Sequence, residues 1–304
     1  MVIAEVDEGH APPLPGEDGL DGAVPPELVH KVEQRHGWLT ASTPNGEDAI
    51  DFGYRLPGDL RPGAAEYVEV QRQATHALAH LLLRVPFESR AMLSSADLVF
   101  HGDEPGEAAP RAGRARLRTR VDGRAVRGVA HIDVGAEFFA GNDAPSGACF
   151  ATGRITGKYL PQRLYDRLRT AAAPAASKAA AESGVTDPAA PEHETAASAL
   201  VDALAVEELV VDRSNPILAD HETDHVDGMA VVCASEEMAS RFMPGRRLRG
   251  ITTRFIAFIE KAEPARLAVR QDGERLIVSV VQRGAVRAET VMRFDEAGDR
   301  EDQA

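Results

Sequence analysis

Apolar residues recur at three- and four-residue spacing over Ala64–Leu83 and again over Gly228–Phe242, which predicts two helices with a continuous apolar face. Elsewhere the pattern alternates, as half-buried strands do. Met92–His101 follows the first helix and Ile251–Glu260 follows the second. Segments 115–121 and 125–134 flank one Asp-Gly pair, and 266–271 and 275–282 flank another. A last run alternates at Val286, Ala288, Thr290, Met292 and Phe294, and Cys149-Phe150 belongs to a further strand.

The order helix, strand, hairpin therefore occurs twice. Arg116-Leu117-x-x-Arg120-x-Asp122-Gly123 and Arg266-Leu267-x-x-Arg270-x-Asp272-Gly273 share one spacing and lie 150 residues apart. Each Asp-Gly has the chemistry of a two-residue type I′ turn. A long helix followed by antiparallel strands, repeated once, predicts an α+β fold in which a curved sheet wraps each helix. Joining two such sheets edge to edge removes an exposed edge strand from each. Residues 1–27, rich in Pro, Gly and acidic side chains, read as a disordered arm. The Ala/Pro-rich stretch 171–197 reads as a linker between repeats at 28–170 and 198–296, and 297–304 reads as a solvated tail.

Composition narrows the function. The chain has 304 residues, 43% apolar and 27% charged, a globular balance. Its 34 basic and 48 acidic residues give a net charge of −14, which disfavours generic nucleic-acid binding. No apolar run approaches the ~20 residues of a membrane span, and the first residues lack the pattern of a signal peptide. Two distant cysteines, Cys149 and Cys233, make neither a disulfide framework nor a four-thiolate zinc site. These features together predict a cytoplasmic protein.

The segment Arg213-Ser214-Asn215-Pro216-Ile217-Leu218-Ala219-Asp220-His221-Glu222-Thr223-Asp224-His225-Val226-Asp227-Gly228-Met229 carries the chemistry. It resembles the N-P-x-x-x-D-H-x-x-D-H-V-P-G-M string of the A-factor biosynthesis hotdog family. In the first half, Val29-His30-Lys31, Glu69-x-x-Arg72-Gln73-Ala74, His80 and Tyr165-Asp166-Arg167-Leu168-Arg169 resemble that family's other motifs, in the same order. The resemblance covers about 29–170 and 205–295. It implies a double hotdog, two tandem repeats each with a long helix wrapped by an antiparallel sheet. It also implies transfer of a β-ketoacyl group from acyl carrier protein or coenzyme A to the hydroxyl of a small acceptor such as dihydroxyacetone phosphate. Such products are butenolide or butanolide signalling molecules.

The site can be argued from physics. A helix start offers unpaired N–H groups and a positive dipole end, which would stabilise the oxyanion of a thioester. Gly228 admits a close approach, as Pro62-Gly63 does in the first half. A glutamate facing an apolar tunnel has its pKa raised and serves as base, a histidine shares the proton, and an arginine grips a phosphate. The resemblance places acid and histidine in opposite repeats. The mirror pair is lost, because Cys233 stands at the second acid position and Glu236 at the second arginine position, a reversed sign beside an anionic acceptor. One composite site is expected: Glu69, His225 and His221 catalytic, with Arg72, Gln73, Asp224, Gly228 and Cys233 binding substrate. Asp227, in place of the family's proline, suits an N-cap. Arg246, Arg247 and Arg249 form a basic cluster suited to an acidic carrier protein.

No cofactor is required. His76/His80 and His221/His225, the latter with Asp220 and Asp224, have metal-ligand spacing; the first pair lacks the glutamate of H-E-x-x-H, two histidines on a helix read as incidental, and the second is the other metal candidate, with no metal expected at either. Packing alone is the other role for Cys233. A dehydratase- or thioesterase-like enzyme, or a catalytically degenerate acyl-binding protein, are the alternatives. A double hotdog holds its dimer interface within one chain, so monomer and homodimer both fit.

Overall fold

The computed structural model describes residues 23–58, 62–101, 110–121, 128–141, 148–178, 196–218 and 223–295. The first half contains β1 (Leu39–Pro44), β2 (Ala49–Arg55), α1 (Ala64–Leu81), β3 (Arg90–Phe100), β4 (Ala112–Thr119), β5 (Ala130–Ala140), β6 (Cys149–Leu160) and α2 (Gln162–Lys178). The second contains α3 (Ala196–Val201), β7 (Ala205–Glu208), α4 (Gly228–Phe242), β8 (Leu248–Phe255), β9 (Arg266–Asp272), β10 (Arg275–Gln282) and β11 (Ala285–Phe294).

All eleven strands form one antiparallel sheet in the order β1-β2-β4-β5-β6-β3-β8-β11-β10-β9-β7. From the centre outward, β3-β6-β5-β4-β2 is matched by β8-β11-β10-β9-β7, so the internal repeat is real. The halves join where β3 pairs with β8, from Ser95 opposite Arg254 to Val99 opposite Gly250. Both central helices pack against the sheet and against each other. This is an α+β double hotdog. Every residue of α1 is buried, including Glu66, Glu69, Gln71, Arg72, Gln73, Thr75, His76 and His80. A buried polar group must find a partner or cost free energy. The polar face of α1 is therefore an internal network.

Several boundaries differ from the pattern-based expectation. Val24 is buried and its N–H donates to Leu39 O, while Pro26–Val29 forms a 3₁₀ turn, so the end of the expected disordered arm is packed. Helix α2 runs through Lys178, into the stretch expected to be linker; its alanines favour helix once Tyr165 and Arg169 have anchored it. β8 ends at Phe255 rather than at Glu260, because Ile256 and Ala257 both turn their N–H groups to Arg287 O. In the second Asp-Gly hairpin, Asp272 pairs with Arg275, so the turn residues are Gly273 and Glu274, with φ positive only at Gly273 (60°). That is the type II′ pattern. The type I′ pattern occurs instead at Arg283-Gly284, with φ of 55° and 69°. The first Asp-Gly, Asp122-Gly123, lies outside the described residues.

Candidate active site

The two central helices are in equivalent register, so their first turns can be compared directly. The starts differ in what meets their N–H groups. At α1, Ala64 N donates to Glu236 Oε1 (2.7 Å) and Ala65 N to Glu236 Oε2 (3.1 Å). Gly63 N donates to Glu66 Oε2 (2.8 Å). The carboxylate sits so close that a Cβ on Gly63 would lie 2.3 Å from Glu236 Oε1. The start of α1 is thus filled by an internal carboxyl group, whose pKa burial raises above the usual carboxylate range although it accepts from Ala64 N and Ala65 N. Burial, and then the nearby Glu236, push the Glu66 carboxyl up to about 7.

At α4, Asp227 acts as the expected N-cap, with Oδ1 accepting from Met229 N (2.8 Å). The Gly228 N–H has no acceptor among the described residues. A Cβ on Gly228 would lie 2.9 Å from the Phe255 ring, so a larger residue there would have to displace that ring. Where Glu236 serves α1, the equivalent residue serving α4 is Arg72, whose guanidinium interacts electrostatically with Asp227.

Glu69 is fully buried. Arg72 Nε and Nη2 donate to its two oxygens at 2.7 and 2.8 Å, Gln73 Nε2 donates at 2.9 Å, and Lys31 Nζ lies at 3.2 Å. Burial alone would raise its pKa, but the charges of Arg72 and Lys31, with hydrogen bonds from Arg72 and Gln73, bring it down to about 2. This corrects the expected role of Glu69: it is a permanent counter-ion, not a base with a raised pKa. Arg72 belongs to the same network. Its Nε and Nη2 donate to Glu69 and Nη1 lies 3.0 Å from His76 Nε2, so three of its five N–H groups are engaged inside the protein. Gln73 also bonds Trp38 N and His36 O, a structural role. Lys31 Nζ donates to Ile217 O (3.1 Å), tying the N-terminal turn to the Asn-Pro loop of the second half.

The α1 histidines are not incidental. Phe87, His80, His30 and His76 stack as a column, with successive centroids 4.4, 5.1 and 4.2 Å apart, and Tyr159 stands edge-on to the three imidazoles. His80 Nδ1 faces Val85 O at 2.7 Å, which fixes its proton there and leaves Nε2 to accept from His30 Nε2 at 2.8 Å. Burial lowers the His80 pKa. His76 Nδ1 lies 2.5 Å from the Tyr159 hydroxyl. Among the described residues no cluster of His, Cys, Asp or Glu has the arrangement of a metal site.

His225 belongs to a different network. Asp224 Oδ1 accepts from His225 Nδ1 (2.7 Å) and from the Tyr165 hydroxyl (2.7 Å). Arg169 Nε donates to Asp224 Oδ2 (2.9 Å), and its other nitrogens donate to Glu260 (both 2.8 Å). The Arg169 guanidinium lies over Phe258, whose ring also meets His225 edge-on. Burial would raise the Asp224 carboxyl, but hydrogen bonds from His225 and Tyr165 and the charge of Arg169 hold it at about 2. A carboxylate on Nδ1 fixes the tautomer and leaves Nε2 as the basic lone pair. The Nε2 atom has no partner among the described residues. Among the described residues no hydrogen bond or ion pair joins Glu69 to His225. The halves are instead bridged by Arg72 with Asp227, and by Tyr165 and Arg169 with Asp224. His221 lies outside the described residues.

Cys233 is packed, with Asn215 Nδ2 3.7 Å from Sγ, and burial pushes its thiol up. Arg249 is paired with Asp295, and Arg246 lies 3.6 Å from Glu274. Arg249 borders an open groove of about 530 Å³ that Val99, Phe100 and Phe294 also line. The sequence reading missed Tyr159 and the roles of Lys31, Tyr165 and Arg169. The Lys31 and Tyr165–Arg169 motifs were visible; Tyr159, in an ordinary alternating strand, had no signal.

No family model and no curated protein matches the chain. Among solved structures, the chain is similar to a 12:0-ACP thioesterase from Umbellularia californica, at 10% identity over 83% of this chain and 98% of that one, with a TM-score of 0.51. An acyl-ACP thioesterase from Bacteroides thetaiotaomicron gives 10% identity over 81% and 98%, with a TM-score of 0.49. A MaoC-like dehydratase from Phytophthora Capsici gives 14% over 68% and 72%, with a TM-score of 0.37. The likeness to the Umbellularia enzyme is one of fold. No described helix is long and apolar enough to cross a membrane.

Proposed function

We propose that the chain is an acyl-thioester enzyme with one working site, at the start of α4. The carrying observation is the asymmetry of the helix starts: Glu236 accepts from Ala64 N and Ala65 N at α1, while Gly228 N–H at α4 has no acceptor among the described residues. The open donor and helix dipole would stabilise a thioester oxyanion. His225 Nε2, oriented by Asp224, takes the proton of an oxygen nucleophile as that oxygen bonds to the thioester carbon. It returns the proton to the thiolate as the C–S bond breaks. The A-factor-type motif favours a β-ketoacyl thioester of a carrier protein or coenzyme A as donor and a small hydroxyl compound as acceptor. Arg249, at its groove, fits an acidic carrier.

Hydrolysis is the second reading. It is favoured by the engagement of Arg72 with Glu69 and His76, which weakens its grip on a phosphate, and by the partial exposure of the His225 side chain (25%). The test is incubation with a 3-oxoacyl thioester, with and without dihydroxyacetone phosphate, following thiol release. Release that depends on the acceptor supports transfer, and release without it supports hydrolysis. Absence of release under both conditions would leave a binding protein.

A further inference from the structure

Tyr159 ends a directional chain of hydrogen bonds. A guanidinium only donates, so His76 Nε2, 3.0 Å from Arg72 Nη1, carries a lone pair. The neutral imidazole therefore has its proton on Nδ1, which donates to the Tyr159 oxygen at 2.5 Å. The Tyr159 hydroxyl proton cannot return along that bond, and no other described residue accepts it. Tyr159 is 1% exposed, so an unused donor there carries a desolvation cost that a bound acceptor would relieve. The chain starts at the Arg72 cation, which polarises it outward. Arg72 also interacts electrostatically with Asp227, the N-cap of α4, and α1 packs against α4.

We propose that the Tyr159 hydroxyl donates to the 3-oxo oxygen of the acyl group and selects 3-oxoacyl over saturated thioesters. This rests on the acyl-thioester reading, in which Gly228 N–H takes the thioester oxygen and the next acceptor along a β-ketoacyl chain is its 3-oxo group. Tyr159 is then a specificity residue, and Arg72 and His76 position its hydrogen bond.

The test compares kcat/KM for 3-oxooctanoyl- and octanoyl-N-acetylcysteamine in the wild type, in Tyr159→Phe, and with 3-fluorotyrosine at position 159. Isotope-edited infrared spectra of the bound 3-¹³C=O group accompany the kinetics. The wild type is expected to favour the 3-oxo substrate by about tenfold or more, the net value of one such bond. Tyr159→Phe abolishes the preference and the red shift of the carbonyl, and the more acidic fluorotyrosine, which keeps the hydroxyl, enlarges both. An unchanged preference and stretch in Tyr159→Phe overturns the assignment while thioester turnover persists. Should Tyr159→Phe fail to fold, an unshifted carbonyl in the fluorotyrosine protein overturns it equally. If the wild type turns over neither thioester, the acyl-thioester reading itself falls, and this assignment with it.

Discussion

At the scale of single residues, the network around Glu69 and the one around His225 call for opposite experiments. Glu69→Gln leaves Arg72 and Lys31 in the core without their shared counter-ion. A loss of about 3–5 kcal/mol in urea unfolding is expected, where a base with a raised pKa would lose activity and keep stability. His225→Gln keeps the fold and lowers thiol release by roughly 10²–10⁴-fold, the usual worth of a general base. Asp224→Asn releases the tautomer and costs about a hundredfold or more in the same assay. The contrast was only partly legible. The motif pointed to both Glu69 and His225, but the state of a carboxylate depends on what lies beside it. Lys31, 38 residues away in the chain, could not be placed there from spacing alone.

At the scale of elements, the helix starts carry the asymmetry. Cys233 and Glu236 look like decayed catalytic positions in the sequence, yet Glu236 caps α1 through Ala64 and Ala65 N. Its neighbour Glu66 titrates near 7 in the folded chain against 4.5 unfolded. Between those values the folded state holds a proton that the unfolded state has released. This contribution to stability is therefore present at low pH, is lost as pH rises to about 7, and is flat above. Glu66→Gln keeps an oxygen for Gly63 N and removes the titration. The variant is expected to gain up to about 3 kcal/mol relative to wild type at pH 8 and nothing at pH 4 in denaturant titrations. Helix α4 was predicted from its periodicity with the boundaries observed, Gly228–Phe242. β1 and β2 were not anticipated, because short strands in a mixed apolar segment give no distinctive period.

At the scale of the whole molecule, pairing of β3 with β8 makes one sheet of two repeats, and Lys31, Tyr165 and Arg169 reach from the first half into the second. Unfolding should therefore be a single event. Fluorescence of Trp38, the only tryptophan, and amide exchange in β9–β11 are expected to report one common midpoint, and two separated midpoints would show independent halves. The sequence by itself determined the α+β class, the two-fold repeat, the two central helices, and the segment from Asp224 to Gly228 as the place to look. The first three are periodic properties, a 3.6-residue stripe and an alternation of two, and the last is what the resemblance of the motif implied. Only the tertiary structure decided that Glu69 is a buried counter-ion, that Glu236 meets one helix start while Gly228 N–H at the other has no acceptor among the described residues, and that His225 joins Asp224, Tyr165 and Arg169. Each depends on side chains from distant parts of the chain being brought together: the first two in a water-poor interior, where burial sets charge and protonation, and the third at a half-exposed site, where Tyr165 and Arg169 reach Asp224 across the two halves.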